Sequence, residues 1–211
     1  MHMRTLAAVH RTAIQTSIDV VSAVRPAHLD LPTPCAGWTL ADLLTHMTAQ
    51  HHGFAAAARG HGADHDAWDT APFAAAIVAD PAGTYTAAAR DALQAFAVRG
   101  IDEMPFALPE FGADVILPGK TAMGFHFVDY VVHAWDVSVS LGLPFGLPAE
   151  VIDTALPLVL AVPDNEFRDG ADSPFAHAVQ PAAADSDFAR ILRHLGRNPN
   201  WAPAGSAIAG A

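Results

Sequence analysis

The stretch from Thr121 to Leu141 constrains this chain most. Phe125, Val128, Val132, Trp135 and Val139 recur there at helical spacing, no proline interrupts them, and Gly142 follows as a stop. The same helix carries His126, Asp129, His133 and Asp136 at steps of three and four. At 100° per residue, His126, Asp129 and His133 lie within about 60° of one another. A polar stripe set among so many apolar side chains must lie partly inside, where a charge needs a partner. Two readings stand side by side: a metal site built from inward-pointing side chains of a helical bundle, or a hydrogen-bonded or solvated polar stripe.

The rest of the chain supplies helices for this one to pack against. Leu6, Val9, Ala13, Ile14, Ile18, Val21 and Val24 predict an amphipathic helix from Arg4 to about Ala23, stopped at Pro26. Two prolines in the run from Asp30 to Trp38 forbid a helix there, and Thr39 is a good N-cap for a second helix reaching about Arg59. After a glycine- and aspartate-rich loop, further helices are expected at about Thr84–Val98, at Ala149–Leu160 (kinked or shortened by Pro157) and at about Asp185–Leu195. Asp114–Leu117 fits a very short strand. No repeat or linker divides the chain. The expectation is therefore an all-α, antiparallel four-helix bundle with a short C-terminal extension, one domain spanning residues 1–211.

Charge narrows the partners. Eleven basic against 22 acidic residues give a formal net charge of −11, with Lys120 the sole lysine. That balance predicts no nucleic-acid partner and no docking on an anionic membrane. The single cysteine, Cys35, cannot form an intramolecular disulfide or a CxxC framework, and reads as a small packing residue beneath a turn. No apolar run is long enough to span a bilayer and no signal-like leader is apparent, so a soluble, cytoplasmic protein is expected.

Twelve histidines stand out in so acidic a chain. His46, between Leu43, Leu44 and Met47, lies near an apolar helix face, and with the Asp129/His133 stripe it would supply two imidazoles and a carboxylate, leaving zinc or a similar ion open positions. His51, His52, His61 and His65 read as surface residues. His2, His10, His28, His177 and His194 show no ligand spacing among themselves. Trp38, Trp135 and Trp201 read as core or edge anchors.

The run Pro32-Thr33-Pro34-Cys35-Ala36-Gly37-Trp38-Thr39-Leu40-Ala41-Asp42-Leu43-Leu44-Thr45-His46-Met47 resembles the opening motif of DinB-like metal-binding proteins. The branch it resembles contains the N-terminal domain of mycothiol-dependent maleylpyruvate isomerase. Asp129-Tyr130-Val131-Val132-His133-Ala134-Trp135-Asp136, followed by Leu141-Gly142, is similar to that branch's second motif, an acid, three residues and a histidine. Leu195-Gly196-Arg197-Asn198-Pro199 before Trp201 resembles a closing motif of a small-protein subgroup.

The resemblance implies a divalent metal at one end of the bundle, zinc or nickel, held at the positions of His46, Asp129 and His133. It departs from the branch's usual pattern at Asp129, one methylene shorter than glutamate, which either pulls the ion toward the helix or lets water, or His126 one turn earlier, complete the site. It further implies a small thiol, mycothiol or in related proteins bacillithiol, bound to the metal as thiolate and attacking an electrophile. Arg90, Arg168 and Arg197 are then candidates to hold a substrate carboxylate, and Asp136 to orient a ligand histidine. The implied function is that of a thiol-dependent transferase or isomerase. The alternatives are a non-catalytic metal- or small-ligand-binding bundle protein, or a protein acting through homodimerisation with the stripe as interior polar glue.

Overall fold

A computed structural model describes residues 3–112, 114–170 and 175–203, and His2 lies outside them. The described residues form seven α-helices and one two-stranded sheet: α1 (Met3–Val21), α2 (Leu40–Ala58), α3 (Ala71–Ala79), α4 (Pro81–Ala95), β1 (Pro105–Ala107), β2 (Ile116–Pro118), α5 (Gly119–Ser140), α6 (Ala149–Leu160) and α7 (Asp187–His194). The four long helices pack in a closed ring, α1 on α5 and α4, and α2 on α4 and α5. Their shared interior follows the periodicity: Leu6, Val9, Ala13, Ile14 and Val21 of α1 are buried, as are Leu40, Leu43, Leu44 and Met47 of α2 and Val128, Val131, Val132 and Trp135 of α5.

A count of four helices plus an extension is too low. The short helix α3 precedes α4, both begin with a proline near their first turn, and α6 packs on α1, α5 and α7. Pro157 stands inside α6 without ending it before Leu160. The expected strand at Asp114–Leu117 is β2, and Pro105–Ala107, unassigned from sequence, pairs with it antiparallel in the register Phe106↔Leu117. Among the described residues no helix is long and apolar enough to cross a membrane.

Two local devices position Cys35, Trp38 and Arg197. Thr39 caps α2 reciprocally with Asp42: Asp42 N donates to Thr39 Oγ1, and Thr39 N donates to Asp42 Oδ2 at 2.9 Å. Before this cap the chain folds back on itself, Thr33 N donating to Trp38 O at 3.2 Å and Thr33 Oγ1 to both Cys35 O and Trp38 O, with Gly37 at φ +81° making the reversal. The closed loop fixes Cys35 and Trp38 at the mouth of α2. The second device ends α7. Gly196 adopts φ +80° and Arg197 N bonds back to Leu192 O at 2.9 Å, which turns the Arg197 side chain inward. A Cβ at Gly196 would press on Ala176.

Candidate metal centre

The helix pair α2/α5 runs antiparallel, so that His46 meets His133 (ring centroids 5.4 Å apart) while His51, further along α2, meets His126, nearer the start of α5. His46, Asp129 and His133 each offer one ligand atom, and these atoms lie within 4.8 Å of one another. His133 Nε2 is 3.2 Å from Asp129 Oδ1. That separation is close to the edge of a tetrahedron with metal–ligand bonds of about 2.0–2.1 Å, roughly 3.3 Å. Asp129 Oδ2 is shut from solvent without a hydrogen-bond partner. An orphaned carboxylate oxygen beside two imidazoles is the donor chemistry that a borderline divalent cation satisfies.

The other face of His133 is held by a network. Its Nδ1 lies 2.9 Å from Asp136 Oδ2, and the fully buried Asp136 also accepts from Arg197 Nη2 at 3.1 Å and from the Cys35 thiol at 3.4 Å. Arg197 Nη2 also reaches Cys35 Sγ at 3.3 Å, and Nη1 donates to Leu195 O at 2.7 Å. Cys35, His133 and Asp136 could likewise converge on an ion. A cation there would sit beside the Arg197 guanidinium, which already neutralises Asp136, and repulsion favours the His46–Asp129–His133 set instead.

Electrostatics agree with that division. Burial drives the His46 pKa down to about 4, so the ring is neutral and able to ligate near pH 7. Burial works against protonation of His133 too, but Asp129 and Asp136 on either side outweigh it and hold its pKa well above the usual value. For Asp129 burial is outweighed by His133, His46 and Arg197, and for Asp136 chiefly by Arg197 and His133, so both carboxyls titrate below the ordinary range.

His126 does not join this set. Its Nδ1 faces His10 Nε2 at 2.8 Å and its Nε2 faces His51 Nδ1 at 3.1 Å. The three rings form a buried chain through the core, and His51 stacks on Tyr130 with centroids 3.9 Å apart. Burial pushes His10 down to about 3 and holds His51 and His126 well below the usual value. His51 is thus a core residue rather than a surface one. One residue, about 100° of helix, separates it from exposed His52, and no spacing within α2 reveals the partners waiting on α1 and α5.

Two of the candidate arginines are also reassigned. Arg197 is spent on Asp136, and Arg168 donates to the carbonyls of Pro163, Ala176, His194 and Val162, tying the segment after α6 to α7. Arg90 is exposed on α4. Of the two places expected for Trp38, it takes the edge rather than the core: it is 38% exposed, with its ring 5.0 Å from that of His46. The lip opposite comes from the hairpin. Glu110, between β1 and β2, accepts from Gln50 at 3.2 Å, and the Phe111 ring lies against that of Phe125, tilted by 30° with centroids 4.8 Å apart. Gln50 is one turn beyond His46 on α2 and Phe125 one turn before Asp129 on α5, so this contact borders the ligand cluster. Burial of the carboxyl and the Asp129 charge push Glu110 up to about 7, against the Gln50 hydrogen bond. Two clefts open elsewhere, about 300 Å³ beside His10 and Phe96 and about 460 Å³ beside His52 and Phe73, and neither is lined by His46, Asp129 or His133.

The protein is mostly helical, and its paired helices α2 and α5 bring two histidines and a carboxylate together. Residues 10–138 match the family model of the mycothiol maleylpyruvate isomerase N-terminal domain, and the chain belongs to that family, within the DinB-like superfamily. Two curated relatives from Mycobacterium tuberculosis, the uncharacterized proteins MT0763 of strain CDC 1551 and Rv0738 of strain H37Rv, are each 29% identical over 168 residues, covering 79% of this chain and 84% of their own. No solved structure matches significantly.

Proposed function

We propose that this protein is a helical metalloprotein that binds one divalent ion, zinc or nickel, through His46, Asp129 and His133, and uses it to activate a small thiol such as mycothiol for transfer or isomerisation. The observation that carries the reading is the ligand cluster itself, with His133 Nε2 3.2 Å from Asp129 Oδ1 and its Nδ1 held by Asp136. Three protein ligands are the set found where a metal keeps an open position, whereas structural sites close with a fourth. Bound there, the ion would favour the thiolate of an incoming thiol at neutral pH.

The chain's own residues do the positioning. Asp136 orients the His133 ring, and Arg197 balances the Asp136 charge so that this carboxylate remains a hydrogen-bond acceptor. Asp129, although shorter than glutamate, reaches the cluster from one turn before His133, and His126 is not needed to complete it. The family membership adds a prior for thiol chemistry, while fold alone does not define function.

One observation favours a second reading, a metal- or small-ligand-binding protein without catalysis: the two clefts described above lie away from the cluster. Cobalt substitution separates the two. Titrating mycothiol into the cobalt protein should produce a sulfur-to-metal charge-transfer band, with a proton released in calorimetry compared between two buffers. A cobalt spectrum untouched by mycothiol and by simpler thiols leaves the non-catalytic reading in place.

A further inference from the structure

Resting on the metal-site reading above, we propose that the second ligand taken at this site is a neutral molecule with an aromatic or extended apolar face, and not a dicarboxylate. The lips of the site are aromatic. Trp38 leaves 38% of its surface exposed beside His46, while Phe111 and Phe125, 49% and 37% exposed, lie tilted against each other one turn of α5 before Asp129. Large aromatic side chains left open on both sides of a polar cluster offer flat surfaces that pair with another ring by offset or edge-on contact.

Charge points the same way. Glu110 stands on the lip beside Phe111, its carboxyl accepting from Gln50 and lying in the field of Asp129. An incoming carboxylate therefore meets two acidic groups. It also needs a guanidinium or ammonium to replace its water, since a desolvated, unpaired carboxylate is strongly disfavoured. The guanidinium closest in the network, Arg197, lies behind His133 with Asp136, Cys35 and Leu195 O as partners, and Arg168 is committed to four backbone carbonyls. A divalent ion balanced by Asp129 and a bound thiolate adds no net positive charge to draw a dianion in. A neutral electrophile carrying its own leaving group fits this balance: the thiolate sulfur forms the new carbon–sulfur bond, the leaving group departs with its electron pair, and the thiol proton has already passed to solvent.

Equilibrium dialysis at pH 8 of the zinc-loaded protein saturated with 2-mercaptoethanol, so that a thiolate fills the open position, tests this with two probes, 1,3-dinitrobenzene as the neutral ring and maleate as the dicarboxylate. Dinitrobenzene should be retained about tenfold more tightly than maleate. Trp38→Ala should weaken dinitrobenzene about fivefold or more, and Glu110→Arg should strengthen maleate by a similar factor, both at unchanged zinc content. Maleate binding as tightly as dinitrobenzene, or dinitrobenzene binding indifferent to Trp38→Ala, overturns the proposal. The cobalt spectrum reports thiol binding by itself, so failure here is distinct from failure of the thiol reading.

Discussion

His133 Nδ1 lies 2.9 Å from Asp136 Oδ2, three residues further along the same helix, while the opposite nitrogen of the ring faces Asp129. One imidazole thus joins the proposed ligand cluster to a buried anchoring network. The outer carboxylate offers an oxygen to an ion, and the inner one fixes the ring's orientation.

Metal content tests the outer half. Divalent ion should copurify with the wild-type protein near one per chain, and His133→Ala should lower the affinity by more than tenfold, since changes beyond the direct ligands already cost about 10–100-fold. Elemental analysis reads this directly. Equal metal in both proteins would remove His133 from the ligand set.

Metal binding should also acidify the solution. The two flanking carboxylates keep His133 protonated in the metal-free protein at neutral pH, and an imidazole must lose that proton to ligate. About one proton per ion should be released in a weakly buffered titration near pH 7. Release of none would mean that the ring is already neutral.

The inner half is tested by Arg197→Met. This substitution strands the Asp136 carboxylate in the interior, and breaking such a pair costs about 3–5 kcal/mol. Adding Asp136→Asn should recover a large part of that stability in urea unfolding, because the buried charge goes with its partner. Metal affinity should stay low in the double variant, as His133 has lost its anchor.

Acid should unfold the protein through the buried chain of His10, His126 and His51. All three are held below their unfolded value near 6.5, so between that pH and their folded values the unfolded state binds more protons than the native one. Stability should therefore be flat with respect to these rings above about pH 7 and fall below about pH 6.5, each contributing up to about 1.4 kcal/mol per pH unit. Denaturant midpoints measured from pH 7.5 to pH 5 should show a steep decline, and a flat profile would contradict neutral burial of the three rings.

His126→Leu separates the chain from the metal cluster. It leaves His10 Nε2 and His51 Nδ1 without their partner, for a loss of about 1–3 kcal/mol, yet metal stoichiometry should be that of the wild type. Loss of metal in this variant would place His126 in the site after all.

The sequence by itself determined what depends on neighbours a few residues apart. The periodicity of Leu6 to Val21 and of Phe125 to Val139 marked out helices, Thr39 announced the start of α2, and the spacing of Asp129 and His133 placed two donors on one face, because helical geometry is a local property. Only the tertiary structure decided which donors meet. His126 and Asp129 belong to the same stripe, but the rise of about 1.5 Å per residue sets His126 at a different level of the bundle, where it meets His10, 116 positions away, and leaves Asp129 with His46. Arg197 reaches Asp136 across 61 positions and Cys35 touches it across 101, contacts that carry no periodic signal. Likewise Trp38, as apolar as any core residue in the sequence, stays open to solvent because the loop closed by Thr33 holds it outside the packed ring of helices. Burial is a property of the assembled helices, and a residue's own chemistry does not reveal which side of them it will occupy.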